Sequence, residues 1–299
     1  MPNAPRLILV DGSSSLYRAY FALPPLCNSR GTPTHAVLGF TSMLLKVLRE
    51  EEPEALGVAF DGPGPTTRHR EFADYKAQRP KMPDTMVQQI PYVHQVLHAM
   101  RVPILMLAGE EADDILGTLA VRAAAEGYGV RLITGDKDLL QVVGERVTAR
   151  DTMKQRTSGP AEVQERYGVS PERLPDYLAL TGDSIDNIPG VPGIGDKTAR
   201  ELLERFGTLE SLLERVDEVS KPKLRENLRA HAEQARLSKR LATVRTDLPV
   251  PWSIADLVRQ APDSVALLEL FRELELTRLA QQFAQGQFDI TNRQPIDVQ

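Results

Sequence analysis

Four short segments of the chain, residues 6–10, 56–60, 102–107 and 130–134, are mostly apolar on both faces and meet Gly or Asp within two residues of their ends. Runs of this kind read as strands buried within a parallel sheet. Between them, apolar residues recur at helical spacing over 37–51, 84–100 and 111–126. Strands alternating with helices predict βαβ units and an α/β fold with a mainly parallel sheet flanked by helices. Beyond residue 150 the pattern changes. Helical stretches at 160–167, 171–181, 197–206, 209–215, 223–243 and 264–276 follow one another with few strand candidates, predicting a helical subdomain packed on the sheet, with the boundary at 151–159.

The chain has 299 residues, 41% hydrophobic and 26% charged, with 20 Gly and 22 Pro and no repeating period. This excludes disorder, collagen and solenoid repeats and leaves room for one or two domains. No run of eighteen apolar residues occurs, and the N-terminal apolar stretch meets Asp11 too soon for a signal peptide, so a soluble, cytosolic protein with no membrane partner is expected. A single cysteine, Cys27, rules out an intrachain disulfide and a Cys-rich metal site.

The candidate chemistry is carboxylate chemistry. Asp11, Asp61, Asp136 and Asp138 follow the first, second and fourth predicted strands, at the sheet edge where α/β proteins bind ligands. Any one of them is explained by turn formation after a strand; three such strand ends together are not. In the stretch 110–116, Glu111 and Asp114 share a helix face, Asp113 points elsewhere unless it sits in the irregular first turn, and a cation should compensate the like charges. Asp183 and Asp186 stand three apart at a predicted helix end, where the dipole disfavours negative charge. These nine carboxylates lack matching cations nearby in sequence, and an all-oxygen set selects hard cations such as Mg²⁺ or Mn²⁺. Two such ions would stabilise both oxygens of an in-line phosphate displacement, so phosphodiester hydrolysis is the expected reaction. Removing the nine from the net charge of −5 leaves +4, so an acidic total conceals basic surface.

Residues 190–199, GVPGIGDKTA, narrowly miss the P-loop pattern, because Asp196 occupies the lysine position and no strand precedes. They read as a glycine turn opening a helix, suited to hold a backbone phosphate or simply to connect two helices. Two stretches are basic: 68–81, with Arg68, Arg70, Lys76, Arg79 and Lys81, and 220–245, with eight cations against Glu226 and Glu233. The first is placed to cover the carboxylates, the second to track phosphates.

Together, LILVDGSSSLYRAYFALPPL, VAFDGPGPTTRH, DYKAQRPKMP, GEEADDILGTLA, LITGDKDLLQVV and LTGDSIDNIPGVPGIGDKTA resemble the 5′ nuclease (flap endonuclease) family, in particular the 5′→3′ exonuclease domain of bacterial DNA polymerases, over residues 7–283. The resemblance implies a PIN-like α/β core at 1–155 with an arch near 64–90. It further implies a helical DNA-binding subdomain at 156–284 with a helix-three-turn-helix element near 183–206, and a polar tail or linker at 285–299. It implies structure-specific cleavage of 5′ flaps, nicked duplex and RNA primers near strand junctions, in Okazaki-fragment processing and repair within the bacterial cytoplasm at the nucleoid.

By similarity, Asp11, Asp61, Glu111 and Asp113 would hold a first metal and Asp136, Asp138 and Asp186 a second, with Asp113 bridging. Asp114 and Asp183 would act through water or a weaker outer site. Lys76 and Arg79 would contact the scissile phosphate, with Arg18 a further active-site cation and Tyr75 stacking on a displaced base. Gly193 and Gly195 would grip duplex backbone with a shared K⁺, and Lys81, Lys197, Lys221, Lys223 and Arg225 would contact DNA. Family members are also found as one domain of a polymerase chain. A junction-binding module without catalysis, and a hydrolase of small phosphate esters, are the alternatives from other functional classes.

Overall fold

The structure is a computed structural model and describes residues 6–285, so the expected tail lies, beyond Gln285, outside the described residues. Strand β1 (Arg6–Asp11) leads into α1 (Gly12–Ala22) and α2 (His35–Glu51), then β2 (Ala55–Ala59). Short helices α3 (Thr67–Glu71) and α4 (Asp84–Val87) precede α5 (Ile90–Ala99) and β3 (Ile104–Leu105). Helix α6 (Ala112–Ala125) connects to β4 (Gly129–Ile133), β5 (Val147–Asp151) and β6 (Arg156–Ser158). The sheet order is β3-β2-β1-β4-β5-β6, parallel except for the antiparallel edge strand β6. The expected parallel sheet is therefore present. Strands β5 and β6 were not expected from the sequence and carry the sheet to Ser158, past residue 155. In β5 the buried Val147, Ala149 and Asp151 alternate with the less buried Thr148 and Arg150, the period of a strand with unlike faces.

Alternation along β1 sorts the core. Leu7 and Leu9 face one side, packing with Ile115 and Leu119 of α6; Ile8 and Val10 face the other, packing with Phe40 and Leu44 of α2, Val93 and Leu97 of α5, and Phe271. The second half of the chain is helical: α7 (Pro160–Tyr167), α8 (Leu174–Thr181), α9 (Asp196–Phe206), α10 (Leu209–Glu214), α11 (Pro222–Ala230), α12 (Ala232–Ala242), α13 (Ser264–Glu273) and α14 (Thr277–Ala284). Helices α8 to α12 share the Leu7/Leu9 core through Leu178, Leu202, Leu212, Leu228 and Leu241, whereas α13 and α14 close the opposite face through Leu267 and Leu279. The helical part thus has no core separate from the sheet.

Two expected long helices are each broken, for identifiable reasons. Residues 84–100 divide at Gln88 and Gln89, where Pro91 cannot donate a helical hydrogen bond and the fully buried Gln89 turns inward. Its Oε1 accepts from Ala36 N (2.7 Å) and Val37 N (3.3 Å), satisfying the start of α2, while Nε2 donates to Thr85 O (2.9 Å). Residues 223–243 divide at His231, whose backbone N (3.0 Å) and ring Nδ1 (2.9 Å) both meet Asn227 O. Cys27 is exposed in the α1–α2 loop. No helix among the described residues is long and apolar enough to cross a membrane.

Replacing Gln89 with Leu keeps its bulk and strands two buried N–H groups. Urea unfolding should show a loss of about 1–3 kcal/mol with the m-value unchanged; an unchanged midpoint would remove Gln89 as the cap of α2.

Candidate active site

The strand order reverses between β1 and β4: the chain fills one side of β1 with β2 and β3, then crosses to β4 and β5. A crevice opens at the carboxyl ends of strands at such a point. Asp11 ends β1 there, its Oδ1 accepting from Ser14 N (2.9 Å) as the cap of α1 and its Oδ2 from Thr134 Oγ1 (2.9 Å). Thr134 follows β4, and its hydroxyl also accepts from Asp136 N (3.0 Å), fixing both strand ends to one another. Asp136 Oδ1 in turn accepts from Asp138 N (2.9 Å). Asp61, beyond β2, accepts from Ala112 N at 3.0 Å and so ties that strand end to the first turn of α6.

The three acids at the start of α6 divide between two environments. Glu111 Oε2 accepts from Lys76 Nζ (2.8 Å) and the Tyr75 hydroxyl (3.2 Å), with Arg68 Nη1 at 3.4 Å, while Oε1 accepts from Thr66 Oγ1 (3.1 Å). Asp113 sits in the field of Asp136, Asp11 and Asp61. Asp114 does not join them. Its Oδ2 meets Arg68 Nη1 at 2.6 Å, and its Oδ1 accepts from Arg68 Nη2 and Arg245 N, both at 2.8 Å, so its acceptors face away from the cluster. The compensating cation expected for Glu111 and Asp114 is Arg68.

Asp183 and Asp186 lie in the loop after α8 rather than at its last turn, so the helix dipole does not bear on them as expected. Asp183 and Ile188 exchange two backbone hydrogen bonds of 2.8 Å, which closes the loop. This brings carboxylate oxygens of Asp138, Asp183 and Asp186 within 4.8 Å of one another, all three residues buried. Asp138 Oδ1 is buried without a hydrogen-bond partner. Such an atom is costly to bury unless a cation or water reaches it, and the donor set around it is all oxygen. The residues therefore fit a hard divalent ion.

Cations converge on the cluster from within it, at Lys137 between Asp136 and Asp138, and from the segment around 76–79. Lys137 pairs with Asp183, Arg79 with Asp186, and Lys76 lies 3.8 Å from Asp186. The segment 72–79 is docked on the Asp186 loop by Lys76 N to Asp186 O (3.0 Å) and Asn187 Nδ2 to Asp74 O (2.7 Å), with Lys76 itself in the left-handed region at φ 55°. Arg18 pairs with Asp151 Oδ1 at 3.0 Å, and its guanidinium lies against Gly135. A Cβ on Gly135 would stand 1.2 Å from Arg18 Nη2, so a larger residue there would displace the Arg18 guanidinium from its place beside Asp136. Tyr75 is 3% exposed, its ring edge-on to His69 and its hydroxyl shared between Glu111 and Asp186 at 3.2 Å each. It cannot stack on a base as expected, because both faces are covered by protein.

Burial and crowding decide the protonation of this cluster. Burial, with repulsion from Asp136 and Asp61, pushes the Asp11 carboxyl up to about 7, against the hydrogen bonds from Ser14 and Thr134. Burial followed by Asp136 raises Asp113 and Asp138 well above the ordinary carboxylate range. Glu111 goes the other way: burial opposes its charge, but Lys76 and Arg68 overcome it and hold the carboxyl low. For Lys76, burial is likewise outweighed by Glu111 and Asp186, so its ammonium is held charged.

The glycine turn runs from α8 to α9. Gly182 and Gly190 lie back to back, where a Cβ on either would come within 2.6 Å of the other's backbone strand. Gly193 is left-handed at φ 82° and Gly195 caps α9. Side chains from α11 and α12 hold the turn, Asn227 Nδ2 on Pro192 O (2.7 Å) and Gln234 Nε2 on Gly190 O (2.8 Å). Asp196, which broke the P-loop pattern, accepts from the Tyr177 hydroxyl (2.8 Å) and Arg200 Nε (2.7 Å) and so latches α8 to α9. Lys81 and Lys197 are exposed beside Asp84 and Glu201, Lys221 is exposed before α11, and Lys223 pairs with Glu226. Arg225 donates to Val219 O at 3.2 Å. The net positive charge counted over 220–245 is smaller in space than in sequence: Arg229, Arg236, Lys239, Arg240 and Arg245 pair with Asp217, Glu210, Asp176, Glu71 and Glu110 from outside that stretch.

Models of the 5′-3′ exonuclease N-terminal resolvase-like domain and of the 5′-3′ exonuclease C-terminal SAM fold match residues 6–168 and 169–265. The chain belongs to the 5′-3′ exonuclease family. It is 48% identical over 273 residues to DNA polymerase I of Bacillus caldotenax, matching 90% of this chain and 31% of that protein. It is 41% identical over 273 residues to a 5′-3′ exonuclease of Aquifex aeolicus, matching 91% of this chain and 93% of that one. The chain thus spans about a third of the length of its DNA polymerase I relatives. Among solved structures, the bacteriophage T5 D15 flap endonuclease, in a complex with DNA and metal ions, superposes with a TM-score of 0.67 at 22% identity, covering 94% of this chain and 98% of that one. At that identity the match establishes the fold.

In this family member the ionised carboxylates needed by a metal compete with protons held on Asp11, Asp113 and Asp138. With the Asp11 carboxyl raised to about 7 and those of Asp113 and Asp138 raised well above the ordinary carboxylate range, a metal that takes these groups ionised would displace protons as it binds. Calorimetry with Mn²⁺ in buffers of different ionisation enthalpy should show release of about one proton or more at pH 6, declining toward pH 8, with affinity rising as pH passes about 7. Binding at pH 6 without proton release would contradict the assigned ligands.

Proposed function

We propose that the protein is a metal-dependent, structure-specific 5′→3′ exonuclease and 5′-flap endonuclease that hydrolyses DNA and RNA-primer phosphodiesters near strand junctions. The observation that carries this reading is the meeting of Asp138 with Asp183 and Asp186, one acid from the sheet edge and two from the loop before the glycine turn, around an unpartnered buried oxygen. In this reading Asp11, Asp61, Glu111 and Asp113 hold one Mg²⁺ or Mn²⁺ and Asp136, Asp138 and Asp186 a second, with Asp183 beside the latter. Bound there, the ions would neutralise the reacting phosphate and lower the pKa of water.

The protein's own groups do the positioning. The Gly193–Gly195 turn offers backbone N–H groups and the start of α9 to a duplex phosphate, and a K⁺ shared with that phosphate belongs to the same reading. Lys76 and Arg79, now paired with Glu111 and Asp186, stand where they can exchange those partners for the scissile phosphate and stabilise charge that develops on it. The buried Tyr75 fixes Glu111 relative to Asp186. The ion pairs of α11 and α12 are mostly surface pairs of small worth, which a phosphate backbone can replace. Removal of flaps and primers during replication and repair, alone or ahead of a polymerase domain, is the role that fits this chemistry.

The test is cleavage of a labelled 5′-flap duplex with Mg²⁺, beside an EDTA control and a flapless blunt duplex. Products at the junction that vanish with EDTA are expected. Asp136→Ala should lower turnover by a factor of about 10² or more while leaving flap binding largely intact, and undiminished turnover would end the metal assignment. Affinity for the flap should also fall steeply between 50 and 200 mM salt, on the order of 10³-fold if six phosphates are contacted. A flat salt response would favour a small phosphate ester as substrate, and tight flap binding without cleavage would indicate a junction-binding module.

A further inference from the structure

Helix α3 has only five residues, too few to persist on its own hydrogen bonds, yet it opens the segment that lays Tyr75, Lys76 and Arg79 on the carboxylates. Its anchor is Arg68. Arg68 is buried, 9% exposed, and its guanidinium reaches out in three directions. It forms a bidentate pair with Asp114 (2.6 and 2.8 Å) and approaches Glu111 Oε2 at 3.4 Å; Nε donates to Leu241 O (2.8 Å) and Nη2 to Thr243 O (2.7 Å). Asp114, 1% exposed, is completed by Arg245 N at 2.8 Å, and the Arg245 side chain reaches Glu110 at 2.9 Å. One side chain therefore joins the base of the cationic segment, the first turn of α6 with Glu111 and Asp113, and the end of α12. Helix α12 packs on α8, which leads to Asp183 and Asp186.

We propose that Arg68 is a positioning residue for cleavage, which acts by fixing segment 72–79, and with it Lys76, against Glu111 and Asp186. It has no path to the substrate itself, because its donors are spent on Asp114 and two main-chain carbonyls within the protein. The bidentate geometry explains the residue type: a lysine keeps the charge but offers one point of attachment where the site has four acceptors. The assignment also accounts for Asp114, whose buried charge is answered by Arg68 in full and which serves as the fixed end of the clamp.

The kinetic arm rests on the nuclease reading above. Arg68→Met should lower kcat on a 5′-flap duplex about 10²-fold, with KM changed less than about threefold, and Arg68→Lys should restore thermal stability more than kcat. In a Lys76→Ala background the same Arg68→Met change should cost less than about threefold, because the group it positions is gone. Equal losses of kcat in both backgrounds would overturn the proposal and leave Arg68 a stability residue. A second arm needs no activity. Hydrogen exchange on the DNA-free protein should show faster exchange across 72–79 in Arg68→Met, including the Lys76 amide, with β1 and β4 unchanged. Unaltered exchange at 72–79, or equal acceleration everywhere, would overturn the clamp. If Arg68→Met does not fold, Asp114→Asn weakens the same pair while preserving shape and is read by the same exchange pattern. Should the wild-type chain fail to cleave any flap, the nuclease reading falls while the exchange arm still decides the role of Arg68.

Discussion

The crowding of carboxylates in a buried crevice is the constraint around which the molecule is arranged. Burial, with the charge of Asp136 added to it, raises the carboxyls of Asp11, Asp113 and Asp138 above the ordinary carboxylate range, and a chain would not assemble such a cluster for stability. The fold tolerates it in two ways. Hydrogen bonds from Ser14, Thr134 and Ala112 fix individual oxygens, and Lys76, Arg79 and Lys137 neutralise Glu111, Asp186 and Asp183 from three directions. What remains unanswered is Asp138 Oδ1, and the deficit of positive charge there is what gives the site its appetite for a cation.

The sheet was legible in the sequence because its inner strands are apolar on both faces, and the acids at their ends because each interrupts such a run. Strand β5 was not recognised, since half of it is polar, although its alternation from Val147 to Asp151 carried the signal. The broken helices at Gln89 and His231 were less accessible: in both, a side chain abandons the helix to serve a partner more than thirty residues away or to reach a carbonyl one turn back, and periodicity is blind to that. The same limit applies to charge. Counting Lys and Arg along 220–245 ignores Asp176 and Glu110, which only the fold brings near.

Within the site, residue types were legible and their division of labour was not. Glu111, Asp113 and Asp114 are nearly contiguous, yet one faces cations, one faces acids and one is locked to Arg68. Tyr75 was expected from the family resemblance to meet a base; its hydroxyl instead bridges Glu111 and Asp186, which requires the loop after α8 to fold over it. Lys137 was overlooked between two aspartates, where a lysine flanked by candidate ligands is itself a signal of local charge balance. Thr134, the hydroxyl that joins β1 to β4, gave no signal beyond its place at a strand end.

The Leu7/Leu9 face of the sheet and helices α8 to α12 share one apolar core, so the carboxylates and the Gly193–Gly195 turn are held on one continuously packed body. On the proposed reading, the protein then behaves as a ruler. A duplex phosphate gripped at the turn fixes, along the helix of the nucleic acid, which bond arrives at the acids, and the place of the cut is set by the spacing between two points of the protein rather than by any base in the DNA.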